Sequence, residues 1–580
     1  MGKSNTQNRR QFIGCVGGAT VATLAAGAIG LEPLLGASRS STALAQDASP
    51  GVSGNGTETA QDSSFVPSPR ATQSYNLREQ AARDERDLPE PAQTPNTDET
   101  LYANKIGSYS KGLPHNNLGE VSVPAFNAMV NAMNSGLPAD FEAIPLGASN
   151  PSVQRKLVNP QSGLAFEMEG ADSHHLAIPA APAFNSAWEA GEIAENYWMA
   201  ILRDVPFTNY ATDPLVAEAC ADLSAMSDFR GPKILGQVTP ETLFRGFTAG
   251  DLVGPYMSQF LLRSIPFGAQ GYSNRMYTLL PGIDYMTRYD EWLSIQRGNQ
   301  PVLPQYFDPT PRYIRNGRDL SQWVHIDVLF QAYFQAMLIL LQPPNPTDPL
   351  SGGGIGAPVD AGNPYVSSVT QDAFGTFGGP FIATMVGEPS TRALKAVWYQ
   401  KWGVHRRLRP EVFAGRIHNH LTGAANYPIH SDILNSRALN RIRRRYRNYL
   451  LPMAFPEGSP LHPAYGAGHA TVAGACTTML KALFDESFVV PNPVVPDAGG
   501  TGLVPYAGPA LTVGNELNKL AANVGVGRNH AGVHWRTDYT ESLKLGEQVA
   551  ISILRDQRNC YSETFSGFSL TKFDGTTITV

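Results

Sequence analysis

The sequence predicts a mainly α fold: a large helical bundle of two four-helix-bundle-like halves, with long loops and few short strands. Three observations carry this. Apolar residues return at helical spacing over several long segments, strand-like runs are few and short, and a Pro/Gly-dense stretch from Pro343 to Pro380 separates one helical half from the other. A chain of 580 residues, 42% hydrophobic, can bury a core of that size. No self-similarity at solenoid periods competes with this reading.

The N-terminus comes first. Lys3, Arg9 and Arg10 precede a weakly apolar Gly/Ala-rich stretch from Phe12 to Leu35, and Ala43-Leu44-Ala45 is a small-residue cleavage pattern. Together they read as a twin-arginine export signal over 1–45, which places the mature chain in the periplasm or outside the cell. The stretch is nearly long enough to span a membrane, but Glu32, Pro33 and the glycines count against an anchor, so no stable membrane insertion is expected after signal removal. Residues 46–105 are polar and poor in apolar side chains, an extended arm or linker.

Over 106–345 a first helical half is expected. Ser186 and Glu189 have the spacing of a capping box, and Ile193, Tyr197 and Ile201 follow at four-residue intervals, an amphipathic helix. Trp323 to Leu341 is apolar almost all round, with His325, Asp327, Gln331 and Gln335 as exceptions, which predicts a buried helix rather than a membrane span. After the Pro/Gly-rich loop (346–390), the second half (391–580) has helices over 391–404, 469–484, 511–524 and 537–555.

Composition excludes some functions. A formal net charge of -6 offers no basic field for nucleic acid. The run Arg437, Arg441, Arg443, Arg444, Arg445 and Arg447 is read as a solvated helix or an interface. Once Cys15 leaves with the signal, Cys220, Cys476 and Cys560 remain, an odd and widely spaced set that argues against a disulfide framework or a cysteine metal site.

Three segments of the second half carry chemistry. In Lys401-Trp402-Gly403-Val404-His405-Arg406-Arg407-Leu408-Arg409-Pro410, Lys401 and Arg409 lie about two turns apart and reach one side of a helix end, where Pro410 limits continuation. Alone, such a run is more often a solvated face. In Pro460-Leu461-His462-Pro463-Ala464-Tyr465-Gly466-Ala467-Gly468-His469, a glycine-rich turn opens a helix whose free backbone N–H groups suit an anion, with His469 beside it to move protons. A tight turn with packed histidines explains the same residues. In Gly527-Arg528-Asn529-His530-Ala531-Gly532-Val533-His534-Trp535-Arg536-Thr537-Asp538, Arg528 offers a bidentate fork for oxyanion oxygens and His534 a ring nitrogen for a central atom. Asp538 either orients that ring or makes a plain i,i+4 polar pair.

All three segments, in order, resemble the vanadium haloperoxidase and type 2 acid phosphatase superfamily. The chain looks most like its algal bromoperoxidases: the Lys401 to Arg409 spacing, His462 seven residues before His469, Trp398-Tyr399-Gln400-Lys401-Trp402 and Val404-His405-Arg406 all resemble that subgroup. The likeness extends upstream through Tyr197-Trp198-Met199-Ala200-Ile201-Leu202-Arg203-Asp204, Gly254-Pro255-Tyr256 with Ser258-Gln259-Phe260, and Gly317-Arg318-Asp319-Leu320.

The resemblance implies a vanadate cofactor held by Lys401, Arg409, Arg528 and the Gly468 N–H, with His534 as the ligand to the metal and His469 as acid/base. His462 and Trp398 would shape the halide approach, and Asp327 would pair with Arg528. It further implies oxidation of bromide or iodide by hydrogen peroxide, halogenation of small organic acceptors, and a homo-oligomer. A structural calcium has no support in the sequence. Two departures stand out: Ala467 and Gly527 replace the family's serines. Two other readings use the same residues, a phosphomonoesterase with His534 as nucleophile, and a non-catalytic oxyanion-binding exported protein.

Overall fold

The computed structural model describes residues 66–344 and 353–580. The expected signal, and the arm as far as residue 65, lie outside the described residues. The described chain is mainly helical: within it the only sheets are three two-stranded antiparallel hairpins, pairing Ile265–Phe267 with Gln270–Tyr272, Val494–Pro496 with Leu503–Pro505, and Ser569–Thr571 with Thr577–Thr579. Among the described residues no helix is long and apolar enough to cross a membrane. A helix Pro69–Arg86 lies in the arm with no buried residue, and another, Gly379–Gly387, forms between the two halves.

The centre of the second half is a crossing of two helices, Gly468–Leu483 and Arg536–Arg558. Their backbones touch because neither has a side chain at the crossing. A Cβ on Gly474 would fall 2.1 Å from the Leu543 carbonyl oxygen, and one on Gly546 would fall 1.9 Å from that of Thr471. No larger residue fits without separating the helices. The crossing holds the N-termini of both helices together, so Gly468 and His469 lie near the turn that carries His534.

Half of the expected capping box forms: the Ser186 hydroxyl accepts from the Glu189 N–H at 3.1 Å, but the Glu189 carboxylate turns to Arg407 and the Ser186 N–H donates to the Ala183 carbonyl instead. The helix Ala187–Ile201 is not amphipathic, however: Glu189 through Ala200 are all buried. The reason is that its three acids are matched internally. Glu189 and Glu192 bind the Arg407 guanidinium, and Glu195 binds that of Arg536.

The helix expected from Trp323 to Leu341 is broken. Gly317–Trp323 ends, 324–330 forms a turn, and Gln331–Leu341 resumes. His325 and Asp327 have partners off the helix axis, Glu457 and His469, and Ile326 and Val328 beside them are β-branched; both facts favour leaving the helix there.

The 391–404 prediction is also divided. An α-helix Pro389–Trp398 passes into a π-helical turn, Tyr399–His405, that ends with Arg406 in the left-handed region at φ 40°. Pro410 does not stop this helix; it occupies the first turn of a new one, Pro410–Leu421, with Arg409 as N-cap. That position suits proline because its missing N–H has no partner to lose there.

Candidate active site

A cavity of about 470 Å³ opens between the halves, lined among others by Asp327, Trp398, His462, Gly468, His469 and Arg528, with His534 at its wall. Lys401 and Arg409 stand behind these residues. Arg409 donates from Nη1 to His534 Nε2 at 3.0 Å and from Nη2 to His462 Nδ1 at 2.9 Å. The Lys401 ammonium donates to the carbonyls of Pro463 and Ala464, at 2.8 and 3.0 Å, and lies 5.6 Å from the Trp398 ring centre. The basic run at 401–409 is therefore no solvated face: Lys401 and Arg409 are fully buried and Arg407 nearly so.

The three cations Lys401, Arg409 and Arg528 have one property in common. Among the described residues none of them forms an ion pair with a carboxylate; their hydrogen-bond partners are backbone carbonyls and neutral imidazoles, and Arg528 Nε is buried without any partner. Burial and mutual repulsion act accordingly. Burial, then the charges of Arg409 and Arg528, hold Lys401 well below the usual lysine value; burial pushes Arg409 and Arg528 down to about 10. Buried charge without a counter-charge is costly. An anion of more than one negative charge is the group that such a cage accepts.

His534 is in a defined tautomer. Arg409 is always a donor, so Nε2, which faces it, carries no proton. Nδ1 then carries the proton and donates to Asp538 Oδ2 at 2.8 Å. Burial, then Arg409, Lys401 and Arg528, keep this imidazole far below its ordinary pKa. Nε2 is thus a neutral lone pair directed at the cation cage, the form in which histidine binds a metal.

Asp538 is more than a helical neighbour: it also accepts from Arg407 at 2.9 Å and from the Trp535 N–H at 3.0 Å.

His469 sits in the first turn of the Gly468–Leu483 helix, where Ala467 is the N-cap. Its Nε2 bonds Asp327 Oδ1 at 3.0 Å. Asp327 therefore pairs with His469 and not, as expected, with Arg528, whose Nη1 instead donates to the Val324 carbonyl at 2.7 Å. The turn at 324–330 explains the exchange, since it carries both that carbonyl and Asp327. Burial lowers the His469 pKa, and Asp327 opposes the shift.

His462 packs against Trp398, ring centres 4.7 Å apart, and burial, with Lys401 and Arg409 beside it, keeps it neutral. A Cβ on Gly468 would meet the Trp398 ring at 3.1 Å, so the glycine lets the helix start approach the indole.

The two departures have different surroundings. A Cβ on Gly527 would lie 3.0 to 3.1 Å from Leu320 and Val324, so glycine there serves close helix packing. Ala467 is buried, and its N–H donates to Ser542 Oγ at 2.8 Å. Nothing in the structure explains why it is not serine.

Sequence reasoning missed part of the cavity wall. His325 stacks on Phe455 at 3.6 Å and bonds Glu457 at 2.5 Å, and all three line the cavity. His325 had been visible only as a polar exception in an apolar run; Glu457 and Phe455 had no signal at all.

Comparison with known proteins agrees with the geometry. Residues 391–563 match the family model described as the VCPO second helical-bundle domain. Among curated proteins, the chain is 36% identical to a vanadium-dependent bromoperoxidase of Corallina pilulifera, over 84% of this chain and 94% of that protein. It is 34% identical to one of Ascophyllum nodosum, over 89% and 93%. Among solved structures, the homohexameric second vanadate-dependent bromoperoxidase of Ascophyllum nodosum superimposes with a TM-score of 0.81 at 31% identity, covering 92% of this chain and 94% of that one. A cage of unpaired cations around a neutral imidazole, in a helical fold shared over nearly the whole length of these proteins, means that the chain belongs to the vanadium-dependent bromoperoxidase family.

Proposed function

We propose that the chain is a vanadate-dependent peroxidase that oxidises bromide, and iodide, with hydrogen peroxide to hypohalous acid, which halogenates small organic acceptors. The observation that carries this reading is the set of three buried cations without a carboxylate partner, facing an unprotonated His534 Nε2. Vanadate fits that donor set. Lys401, Arg409, Arg528 and the Gly468 N–H would hold its oxygens and His534 its metal, and when bound it supplies a Lewis-acidic centre that activates peroxide toward halide without changing oxidation state.

The chain's own residues do the rest. Asp538 fixes the His534 tautomer, so the lone pair stays on Nε2. His469 exchanges protons: its Nε2 side is tied to Asp327, which leaves Nδ1 as the basic atom that takes the peroxide proton and returns it. Lys401 and Arg409 hold positive charge where oxygen must become electron-poor. Trp398 and His462 form an uncharged aromatic wall beside the cations, on which a weakly hydrated halide can lose its water.

Purified protein tests the reading directly. Bromination of a phenol indicator that requires both peroxide and vanadate is the expected result. Release of phosphate from an aryl phosphate, with no bromination, would replace it by the phosphomonoesterase reading.

Vanadate binding is expected to take up protons. Lys401 lies well below its ordinary pKa in the free protein, and a bound anion restores it. Between its free and bound pKa the free protein lacks a proton that the complex holds, so affinity falls as pH rises through that window. Calorimetry in buffers of different ionisation enthalpy measures the uptake, and a buffer-independent heat would contradict it.

Ala467→Ser is expected to tighten vanadate binding. A new hydroxyl bond to a charged acceptor contributes roughly 1.5–3 kcal/mol, or about 10- to 100-fold in Kd. Serine is also the better N-cap. Equilibrium dialysis of vanadate checks the change, and an unaltered Kd would mean the hydroxyl serves only the helix.

The export signal over 1–45 and a homo-oligomeric state are part of the same proposal. The first rests on the paired arginines and the cleavage pattern, and the second on the homohexameric relative. The exposed arginines of the helix Arg437–Tyr446, whose apolar residues Ala438, Leu439 and Ile442 are buried, suit a subunit contact. The vanadate site belongs to 391–580, with Asp327 supplied from 106–345.

A further inference from the structure

Away from the cavity, where the arm meets the body, two adjacent imidazoles are surrounded by carboxylates. His174 and His175 lie with ring centres 3.9 Å apart. His175 Nδ1 bonds Glu85 Oε1 at 2.6 Å, and His174 Nδ1 lies 3.5 Å from Asp172 Oδ2. Glu90 stands 3.8 Å from His174 Nε2, and one donor atom each from Glu90, His174 and His175 falls within 4.8 Å of the others. Among the described residues no lysine or arginine pairs with Glu85, Glu90 or Asp172. Three carboxylates therefore converge on two histidines with no fixed cation to balance them.

The orientation of the rings matters more than the count. Each Nδ1 faces a carboxylate, which is how a metal-binding histidine is held with its Nε2 presented outward. For His174 that Nε2 faces Glu90; for His175, Nε2 is the nitrogen left over. Two imidazoles and a carboxylate with a remaining open position are the donor set of a tetrahedral zinc-type ion. Bonds of about 2.0–2.2 Å place the donors of such an ion roughly 3.3–3.5 Å apart. The three donors lie within 4.8 Å of one another, so small side-chain movements, that of the exposed Glu90 among them, close the site to that spacing.

We propose that His174, His175 and Glu90 form a binding site for a divalent metal of the zinc class, which clamps the arm to the body. Glu85 lies in the last turn of the arm helix Pro69–Arg86 and Glu90 comes just after it, whereas both histidines belong to the body. No residue of that helix is fully buried, and Glu85 accepting from the Asp172 N–H at 2.6 Å is part of what holds it. The clamp also backs onto the catalytic turn. Gln93 donates to the carbonyls of His174 and Leu176 and accepts from Gln400, the neighbour of Lys401. This site is separate from the vanadate cage, and the proposal does not rest on the peroxidase reading.

Zinc titration of the vanadate-loaded full chain by calorimetry tests it, with vanadate occupying the other histidine cluster. The wild type is expected to bind one more zinc than His174→Ala/His175→Ala, and Glu90→Gln, a change at an exposed position that leaves folding intact, to weaken that site at least tenfold. Zinc is also expected to slow trypsin cleavage at Arg78, Arg83 and Arg86 in the wild type and not in the double variant. Equal stoichiometry in wild type and double variant, cleavage indifferent to zinc, or calcium binding as tightly as zinc would each overturn the proposal.

Discussion

Replacing His534 by alanine is expected to lower bromide-dependent turnover by more than about 100-fold, because loss of a residue that merely orients a metal ligand already costs roughly 10- to 100-fold. His534 supplies a neutral ring nitrogen that faces the cation cage, and that Nε2 is also an acceptor for Arg409. Its removal takes away the ligand and frees a guanidinium at the same time. His469→Ala should differ in kind. It leaves Lys401, Arg409, Arg528 and His534 in place, so vanadate should still bind, while turnover drops by about 10²- to 10⁴-fold through loss of proton transfer. Dialysis of vanadate measured beside turnover separates the two. A His534→Ala protein within tenfold of wild-type turnover would remove the basis of the assignment, and loss of vanadate affinity in His469→Ala would make that residue a binding group.

The largest stability effect is expected at Arg407. Its guanidinium is buried, bonds Glu189, Glu192 and Asp538, and lies 4.5 Å from the Trp535 ring centre. Burial raises the Glu189 carboxyl well above the usual carboxylate range, and the Arg407 guanidinium beside it opposes that shift. Arg407→Met retains bulk and removes charge, which leaves these buried acids without their cation; breaking a buried network this way costs about 3–5 kcal/mol. Arg441→Met, which releases only the partly exposed Glu218, should cost under about 1 kcal/mol. Denaturant unfolding of both variants makes the comparison, and equal losses would mean that the buried network does not hold the core. A coupled effect on the site is expected as well: Asp538, released by Arg407, is the group that orients His534.

The sequence was most informative where chemistry depends on residues close in the chain. His534 and Asp538 are one helical turn apart, and their bond was one of two readings that the spacing allowed. Gly468 and His469 open a helix as the glycine-rich turn implied. It was less informative wherever a side chain's partner is distant. Arg407 stands in a run of basic residues that read as solvated, yet it is neutralised by acids more than a hundred positions away in either direction. For the same reason the buried helix Ala187–Ile201 passed for an amphipathic one: its glutamates appeared to belong to a wet face.

The sequence by itself determined the helical class, the order of the three chemical segments and the identities of the cations and histidines, because helix periodicity, capping and motif spacing are local properties. Only the tertiary structure decided which charges stay unpaired. Lys401, Arg409 and Arg528 lack carboxylate partners while Arg407 between them has three, and Asp327 serves His469 rather than Arg528. Pairing in a low-dielectric interior is set by distance across packed helices, which two glycines, Gly474 and Gly546, fix by allowing the backbones to meet.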